Sequence, residues 1–419
     1  MSRKVPNPEG DSPSADGPRI AAPWTPIPII RIDLDALTDV VISDVVAGQR
    51  VWLEVARDGQ VVRLIEAVAE DGGLSKSTLE SATKDLVGLV MPAHEKVTDE
   101  LLPRATVIVP TICRDFQELT LAIEAILALD YPDFEVIIVD NRTDVQRVPL
   151  PQFPGGDQVR VFEELQPGAS SARNRGIAHA TGEFVAFTDD DVTIDVNWLR
   201  ELGTRFVKNP EVDAVGGLVL PLELNTQPQL WFEEFFGGFS TAYAAETVSI
   251  KLMAGVDTMF PYAPGRFGAG CNMAFRLSAL KAHGGFNPFL STGTPAKGGE
   301  DLERFMREVF AGGTVAFEPR ALVHHRHRAT QEEFMTQVFG YGTGLTAMFT
   351  SLIVRDPRHL VALIRRLPGG LRLLTKPREE RSASLNPSYP QRTYLYHLRG
   401  LAYGPLAYAR SVARSARRH

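Results

Sequence analysis

Only two cysteines, Cys113 and Cys271, occur in 419 residues, too few for a disulfide framework, so the chain fits a reducing cytosol and either thiol reads as a small buried hydrophobe. No apolar run follows Arg3-Lys4, which excludes a secretory signal there. Residues 1–25 read as a disordered leader, rich in Pro, Ser, Gly and Asp up to Pro18. Across 335–354 there is no charged residue, yet three Gly, five Thr or Ser and a Gln dilute that stretch, so it is a weak candidate for a membrane-spanning helix. No Gly-x-Gly-x-x-Gly follows the strand at 106–110, which argues against a dinucleotide-dependent oxidoreductase. Few aromatics are interleaved with the arginines of the C-terminal region, and no nucleic-acid partner is expected.

What is present is ordinary in bulk and uneven in distribution. Hydrophobic residues make up 44% and charged residues 23%, as in soluble globular proteins. The net charge of -7 hides an asymmetry, because residues 355–419 hold fourteen Lys or Arg against three Asp or Glu. That region is a separate electrostatic object.

Four segments follow from the patterning. After the leader, 26–100 alternates apolar and polar residues, with Val51–Val55 and Val61–Ile65 flanking Asp58-Gly59, a hairpin signature in a small β-rich module. Segment 101–329 alternates short apolar strands with amphipathic helices, the pattern of an α/β sheet. Segment 330–419 is expected to be helical and basic. Its Leu/Ile and Arg mixtures at 359–366 and 370–374 suit either packing on the preceding domain or peripheral contact with an anionic membrane.

The chemistry-bearing residues stand where strands end and helices begin. The strand at 106–110 leads into Thr111, Arg114 and Asp115, with Glu118 completing a capping pattern. The strand at 134–139 ends in Asp140-Asn141, and open α/β sheets bind ligands beyond the carboxyl ends of their strands. In Gly168–Gly176 a serine pair, Ser170-Ser171, can cap a short helix that carries Arg173, Asn174 and Arg175, and helix N-termini and arginines both suit phosphates. The strand at 183–188 runs into Asp189, Asp190 and Asp191. Three adjacent carboxylates repel one another unless a cation neutralises them, and oxygen donors suit Mg²⁺ or Mn²⁺.

Further along, Gly298-Gly299 precede Glu300-Asp301 at the start of a helix with apolar residues at 302, 305, 306, 309 and 310. A carboxylate on such a rigid element can take a proton from an attacking hydroxyl, although a helix N-terminus favours its ionised form. After a strand at 314–317 come His324, His325, Arg326, His327 and Arg328. We expect one imidazole of this cluster, His324, to face the ligand site.

This ordered set, Val109-Pro110-Thr111, Val139-Asp140-Asn141, Ala172-Arg173-Asn174, Phe187–Asp191, Gly299-Glu300-Asp301 and His324, resembles glycosyltransferase family 2, whose fold is GT-A, a Rossmann-like α/β arrangement. The resemblance spans about 105–328. It implies an inverting enzyme that passes a sugar from a nucleotide-sugar donor to a glycan, lipid-linked or small-molecule acceptor, at the cytoplasmic side and at the inner membrane face if the basic region binds lipid. It also implies donor contacts at Pro110, Thr111, Arg114, Asp140, Arg173, Asn174, Asp189 and Asp190. Metal ligation by Asp191, Asp189 and His324, a catalytic pair Asp301 and Glu300, and an acceptor-side Asn272 complete the implied site. The family's processive members carry Gln-x-x-Arg-Trp after the base, whereas no Trp occurs here after Trp231, so limited sugar addition is expected. The competing readings are a non-catalytic nucleotide- or sugar-binding module of the same fold and a nucleotidyltransferase. The second lacks support, because Thr111–Arg114 is not the Gly-rich basic loop that such enzymes place after the first strand.

Overall fold

In the computed structural model, the structure describes residues 24–39, 42–71, 73–143, 148–240, 242–253, 259–262, 267–375, 390 and 392–416. Residues 1–23 of the expected leader lie outside the described residues.

The α/β region is built on a mixed sheet of nine strands. Strands β4 (Ala105–Thr111), β5 (Phe134–Asp140), β6 (Val159–Glu163) and β7 (Phe184–Phe187) run parallel, in the order β6-β5-β4-β7. Beyond β7 the sheet continues through β11 (Met273–Arg276), antiparallel to both of its neighbours, then β9 (Val212–Pro221), β12 (Thr314–His325) and β10 (Glu246–Val248), with β8 (Val192–Ile194) paired to β12. β4 and β5 are near-continuous apolar runs because helices cover both faces of the sheet.

Successive residues of a strand therefore enter different cores. Val107, Val109, Val136 and Ile138 pack with helices α2 (Phe116–Leu127) and α4 (Trp198–Lys208). Ile108, Ile137 and Val139 pack with α3 (Ala169–His179), α7 (Leu277–His283) and α8 (Glu300–Phe310). Asp115 caps α2, its carboxylate accepting from the backbone N–H groups of Gln117 and Glu118, an arrangement worth about 1 kcal/mol.

A separate three-stranded sheet precedes this unit. β2 (Arg50–Arg57) and β3 (Gln60–Val68) form the antiparallel hairpin, turning at Asp58 and Gly59 with φ of 50° and 76°, and β1 (Ile29–Asp33) runs parallel to β2. Positive φ at both turn positions matches the strands' own twist. This sheet sits against the larger one: Val61 packs with Leu218, Leu220, Phe317 and Leu322. Gln60 Nε2 donates to the Tyr243 carbonyl at 2.7 Å, and Arg320 Nη1 donates to that of Asp58 at 2.7 Å.

Three helices close the described chain: α9 (Gln331–Arg355), α10 (Arg358–Thr375) and α11 (Thr393–Ala416). The uncharged stretch expected as a weak membrane-spanning candidate lies within α9, where Phe334, Val338, Ala347, Met348 and Leu352 are buried. Among the described residues no helix is long and apolar enough to cross a membrane. Its glycines serve a close helix crossing instead. A Cβ at Gly342 of α9 would lie 2.4 Å from the His397 carbonyl oxygen of α11.

Candidate active site

The carboxyl ends of β4, β5 and β7 bring Thr111, Asp140 and the aspartate triplet to one edge of the sheet. The Thr111 hydroxyl donates to Asp190. Its oxygen accepts the Cys113 N–H at 2.7 Å. Pro110 is half-buried just before it. Burial raises the Asp190 carboxyl above its ordinary range, and the Thr111 hydrogen bond and, more weakly, the charge of Arg114 oppose the rise. Asp140 is buried and held by Arg142, whose Nη2 lies 2.8 Å from Oδ2 and whose Nε donates to Oδ1 at 3.0 Å. Asn141 fixes the approach to α3, with Nδ2 donating to the carbonyls of Glu164 and Gln166 and Oδ1 accepting from Gly168 N–H.

At α3 the structure departs from the expected serine cap. Gly168, at φ 120°, occupies the cap position without a side-chain bond, and Ser170 Oγ donates to the Leu290 carbonyl at 2.8 Å. Asn174, expected at the donor, is spent on structure: Nδ2 donates to the Phe286 carbonyl and Oδ1 accepts from Phe286 N–H, at 2.8 and 2.7 Å.

Arg173 is the hub of the site. It is 3% exposed, lies over the Phe286 ring at 5.5 Å, and directs Nη1 to Glu300 Oε1 at 2.9 Å. Nη2 lies 3.3 Å from Asp189 Oδ1 and 3.3 Å from the Gly270 carbonyl. The Gly270 N–H in turn donates to Asp301 Oδ2 at 2.8 Å, while Asp301 Oδ1 accepts from Leu302 N–H at 2.8 Å. One guanidinium and one glycine thus join the triplet on β7 to the start of α8. Asp301 is half-exposed, with both oxygens aimed by backbone donors.

Glu300, expected to share the catalytic role, faces the other way. It is 6% exposed and its carboxyl is pushed up by burial and then by the adjacent Asp301 charge, with Arg173 opposing both. Its geometry is that of a group that positions Arg173. Gly299, at φ 90°, makes the sharp start of α8 possible, since a Cβ there would meet the Gly344 carbonyl oxygen at 2.7 Å.

The His/Arg cluster sorts by strand parity. His324 does not face the acids: its Nε2 lies 2.7 Å from Glu54 Oε2 in the N-terminal sheet. His325, on the opposite face of β12, places Nε2 3.4 Å from Asp191 Oδ1, and Arg328 Nη1 lies 3.9 Å from Asp191 Oδ2. His327 is buried against Glu233 at 2.6 Å, and Arg326 turns outward to Glu118. Burial lowers the His325 imidazole to about 4, so it stands neutral with lone-pair character available. Asn272 is a second correction. It is fully buried, accepting from Trp198 Nε1 at 2.8 Å and donating to the carbonyls of Leu218 and Ala321, so it ties β9, β11 and β12 together and reaches no acceptor.

Asp189 sits among opposing charges. Burial raises its carboxyl to about 7, Arg173 opposes the rise, and Asp191, Asp190 and Glu300 add to it. Donor atoms of Asp189, Cys271 and His325 lie within 4.8 Å of one another. Two members of that group, His325 and Cys271, are site residues that the sequence reading missed.

Residues 106–282 match the family model described as glycosyl transferase family 2. A glucosyl-dolichyl phosphate glucuronosyltransferase from Haloferax volcanii is 25% identical over 235 residues, covering 54% of this chain and 69% of that protein. A pre-mycofactocin glycosyltransferase from Mycobacterium tuberculosis is 28% identical over 197 residues, covering 47% of this chain and 37% of that protein. The chain therefore spans well under half the length of the second relative. The mannosyltransferase PcManGT from Pyrobaculum calidifontis, solved with GDP-Man and Mn²⁺, is 18% identical with a TM-score of 0.46, covering 72% of this chain and 87% of that one.

Proposed function

We propose that this chain, which through residues 106–282 belongs to glycosyl transferase family 2 and has its GT-A architecture, transfers one or a few sugars from a nucleotide-sugar donor to an acceptor hydroxyl with inversion. The observation that carries this reading is the joint held by Arg173 between Asp189 and Glu300, with Gly270 between the guanidinium and Asp301. Acids far apart in the chain thereby share one locus.

In this reading Asp301 accepts the proton of the attacking hydroxyl. Two backbone donors hold its carboxylate in one orientation, so little reorganisation is needed at the moment of transfer. Arg173 and Arg328 supply positive charge beside the leaving diphosphate. Thr111, Pro110, Arg114, Asp140 and Asp190 line the nucleoside side at the ends of β4, β5 and β7.

A divalent cation fits the residues present. Asp189 and Asp191 are partly exposed carboxylates, and the neutral His325 lies beside Asp191, a donor set with two hard oxygens and an imidazole. Asp189, Asp191 and His325 would hold Mg²⁺ or Mn²⁺, which supplies charge neutralisation for the departing nucleoside diphosphate.

The acceptor reading follows the relatives' names and the outer face of α10. The Haloferax volcanii relative is named for a dolichyl phosphate substrate. On α10, Arg366 lies over Tyr262 at 5.1 Å and Ala362 and Leu363 pack inward, leaving Leu360, Val361 and Ile364 at 47%, 51% and 59% exposure beside exposed Arg365. An apolar turn flanked by cations suits an anionic lipid surface, which would bring a lipid-linked acceptor to the site from the cytoplasmic side.

The deciding experiment is a panel of nucleotide-sugars given to the full chain with Mn²⁺, reading nucleoside diphosphate release in the presence of lipid-linked and free glycan acceptors. Release from one donor, dependent on acceptor, is the expected result. No release from any donor with any acceptor would count against transfer.

A further inference from the structure

We infer that Cys271 is a direct ligand in the cation site, and that the site therefore selects a thiol-seeking divalent ion such as Co²⁺ or Zn²⁺ over Mg²⁺. The inference rests on the cation reading above and adds a fourth donor of a different kind.

Its first support is position. The Cys271 thiol, an Asp189 carboxylate oxygen and a His325 ring nitrogen lie mutually within 4.8 Å. Ligands bound to one ion at about 2.0–2.3 Å sit roughly 3.3–3.8 Å apart, so side-chain adjustment of about an ångström gathers these three atoms around a common centre. Asp191, 3.4 Å from His325, is next to the same centre.

The second support is the state of the donors. Cys271 is 3% exposed, in a turn closed by Asn272 N–H donating to the Ala269 carbonyl at 2.9 Å, so the thiol cannot swing away to solvent without opening the head of β11. His325 is 8% exposed, and its Nδ1 is buried with no hydrogen-bond partner. Cys271 packs in the apolar cluster that also holds Ala269 and Val323, and the same thiol lies within reach of Asp189 and His325. A buried imidazole and thiol beside two partly exposed carboxylates are well matched to a cation. Sulfur is a poor ligand for Mg²⁺, which prefers an octahedron of oxygens, and a good one for Co²⁺ or Zn²⁺, with Mn²⁺ between. On binding, the S–H bond breaks, a sulfur–metal bond forms and the proton leaves to water.

The test uses the full chain loaded with Co²⁺. The parent and a Cys113→Ser variant should show a thiolate-to-cobalt charge-transfer band in the near ultraviolet, and Cys271→Ser and Cys271→Ala should lack it. Chelator competition should give Co²⁺ binding at least about tenfold weaker in Cys271→Ala, with Mg²⁺ binding changed less than about twofold. Absence of the band in the Co²⁺-loaded parent, or its survival in Cys271→Ala, overturns the inference. Since Cys271→Ser preserves volume, its circular dichroism and thermal midpoint separate loss of a ligand from loss of fold. The two readings fail separately: a cobalt band without nucleoside diphosphate release removes transferase activity and leaves the ligand, while release without a band does the reverse.

Discussion

Arg173 Nη1 meets Glu300 Oε1 at 2.9 Å with both side chains almost wholly buried. This contact ties α3 to α8, and a buried pair deprived of one partner is strongly destabilising. Arg173→Met should lower unfolding stability by about 3–5 kcal/mol in urea titrations. The double variant Arg173→Met/Glu300→Gln should recover part of that, because the buried Glu300 charge is gone while the partly exposed Asp189 still lacks its Arg173 partner. Equal stability of the single and double variants would show that the pair's charge is not what matters.

Asp301→Asn retains the size of the side chain and one of the two backbone N–H bonds that its oxygens accept, but it cannot take up a proton. We expect donor binding within about threefold of the parent, and transfer reduced roughly 10²–10⁴-fold, the range for general-base catalysis. Titration calorimetry with donor and single-turnover sugar transfer separate the two. Transfer at the parental rate would remove Asp301 from the base role.

His325→Ala and His324→Ala should behave differently despite adjacency. The first should weaken divalent cation binding about 10–100-fold. The second should leave cation binding unchanged and lower the thermal midpoint, because Glu54, also 3.2 Å from Arg31, loses its imidazole partner at the sheet junction.

That contrast also shows where the sequence was readable. The aspartate triplet and Asp301 were legible because a β-branched and aromatic strand end and a Gly-Gly helix start mark their positions without a structure. His324 was expected in place of His325 because strand parity cannot be counted through β12: its pairing with β9 shifts between Glu318 and Leu322, and a slip in register exchanges the two faces. Cys271 was hidden for a different reason. A lone cysteine between glycine and asparagine has no pattern, and its partners Asp189 and His325 are distant in sequence. Asn272 was misplaced because the resemblance puts its segment beside the acceptor, whereas its three buried hydrogen bonds spend the side chain on the sheet.

Burial raises the Glu234 carboxyl to about 7, with Arg50 opposing the rise and Glu66 adding to it, and neither oxygen has a hydrogen-bond partner. A carboxyl raised above its unfolded value contributes stability that is full below the unfolded value of about 4.5 and is lost as pH rises through about 7. Glu234→Gln should therefore stabilise the protein by roughly 2–4 kcal/mol at pH 8 and by little at pH 4. Urea midpoints at the two pH values check this, and a pH-independent difference would contradict it.

Val361→Glu/Ile364→Glu should abolish flotation of the full chain with phosphatidylserine vesicles and leave donor turnover on a soluble acceptor unchanged. Flotation equal to the parent's would remove α10 from lipid contact.

Neighbouring positions of β12 look in opposite directions, so a single peptide step is gripped from behind by Glu54 and from the front by Asp191. A shortened chain beginning near residue 98 would not be a trimmed catalyst. It would bare Leu218, Leu220, Phe317 and Leu322 to water and release the Glu54 anchor of His324, so solubility and thermal stability would fall together.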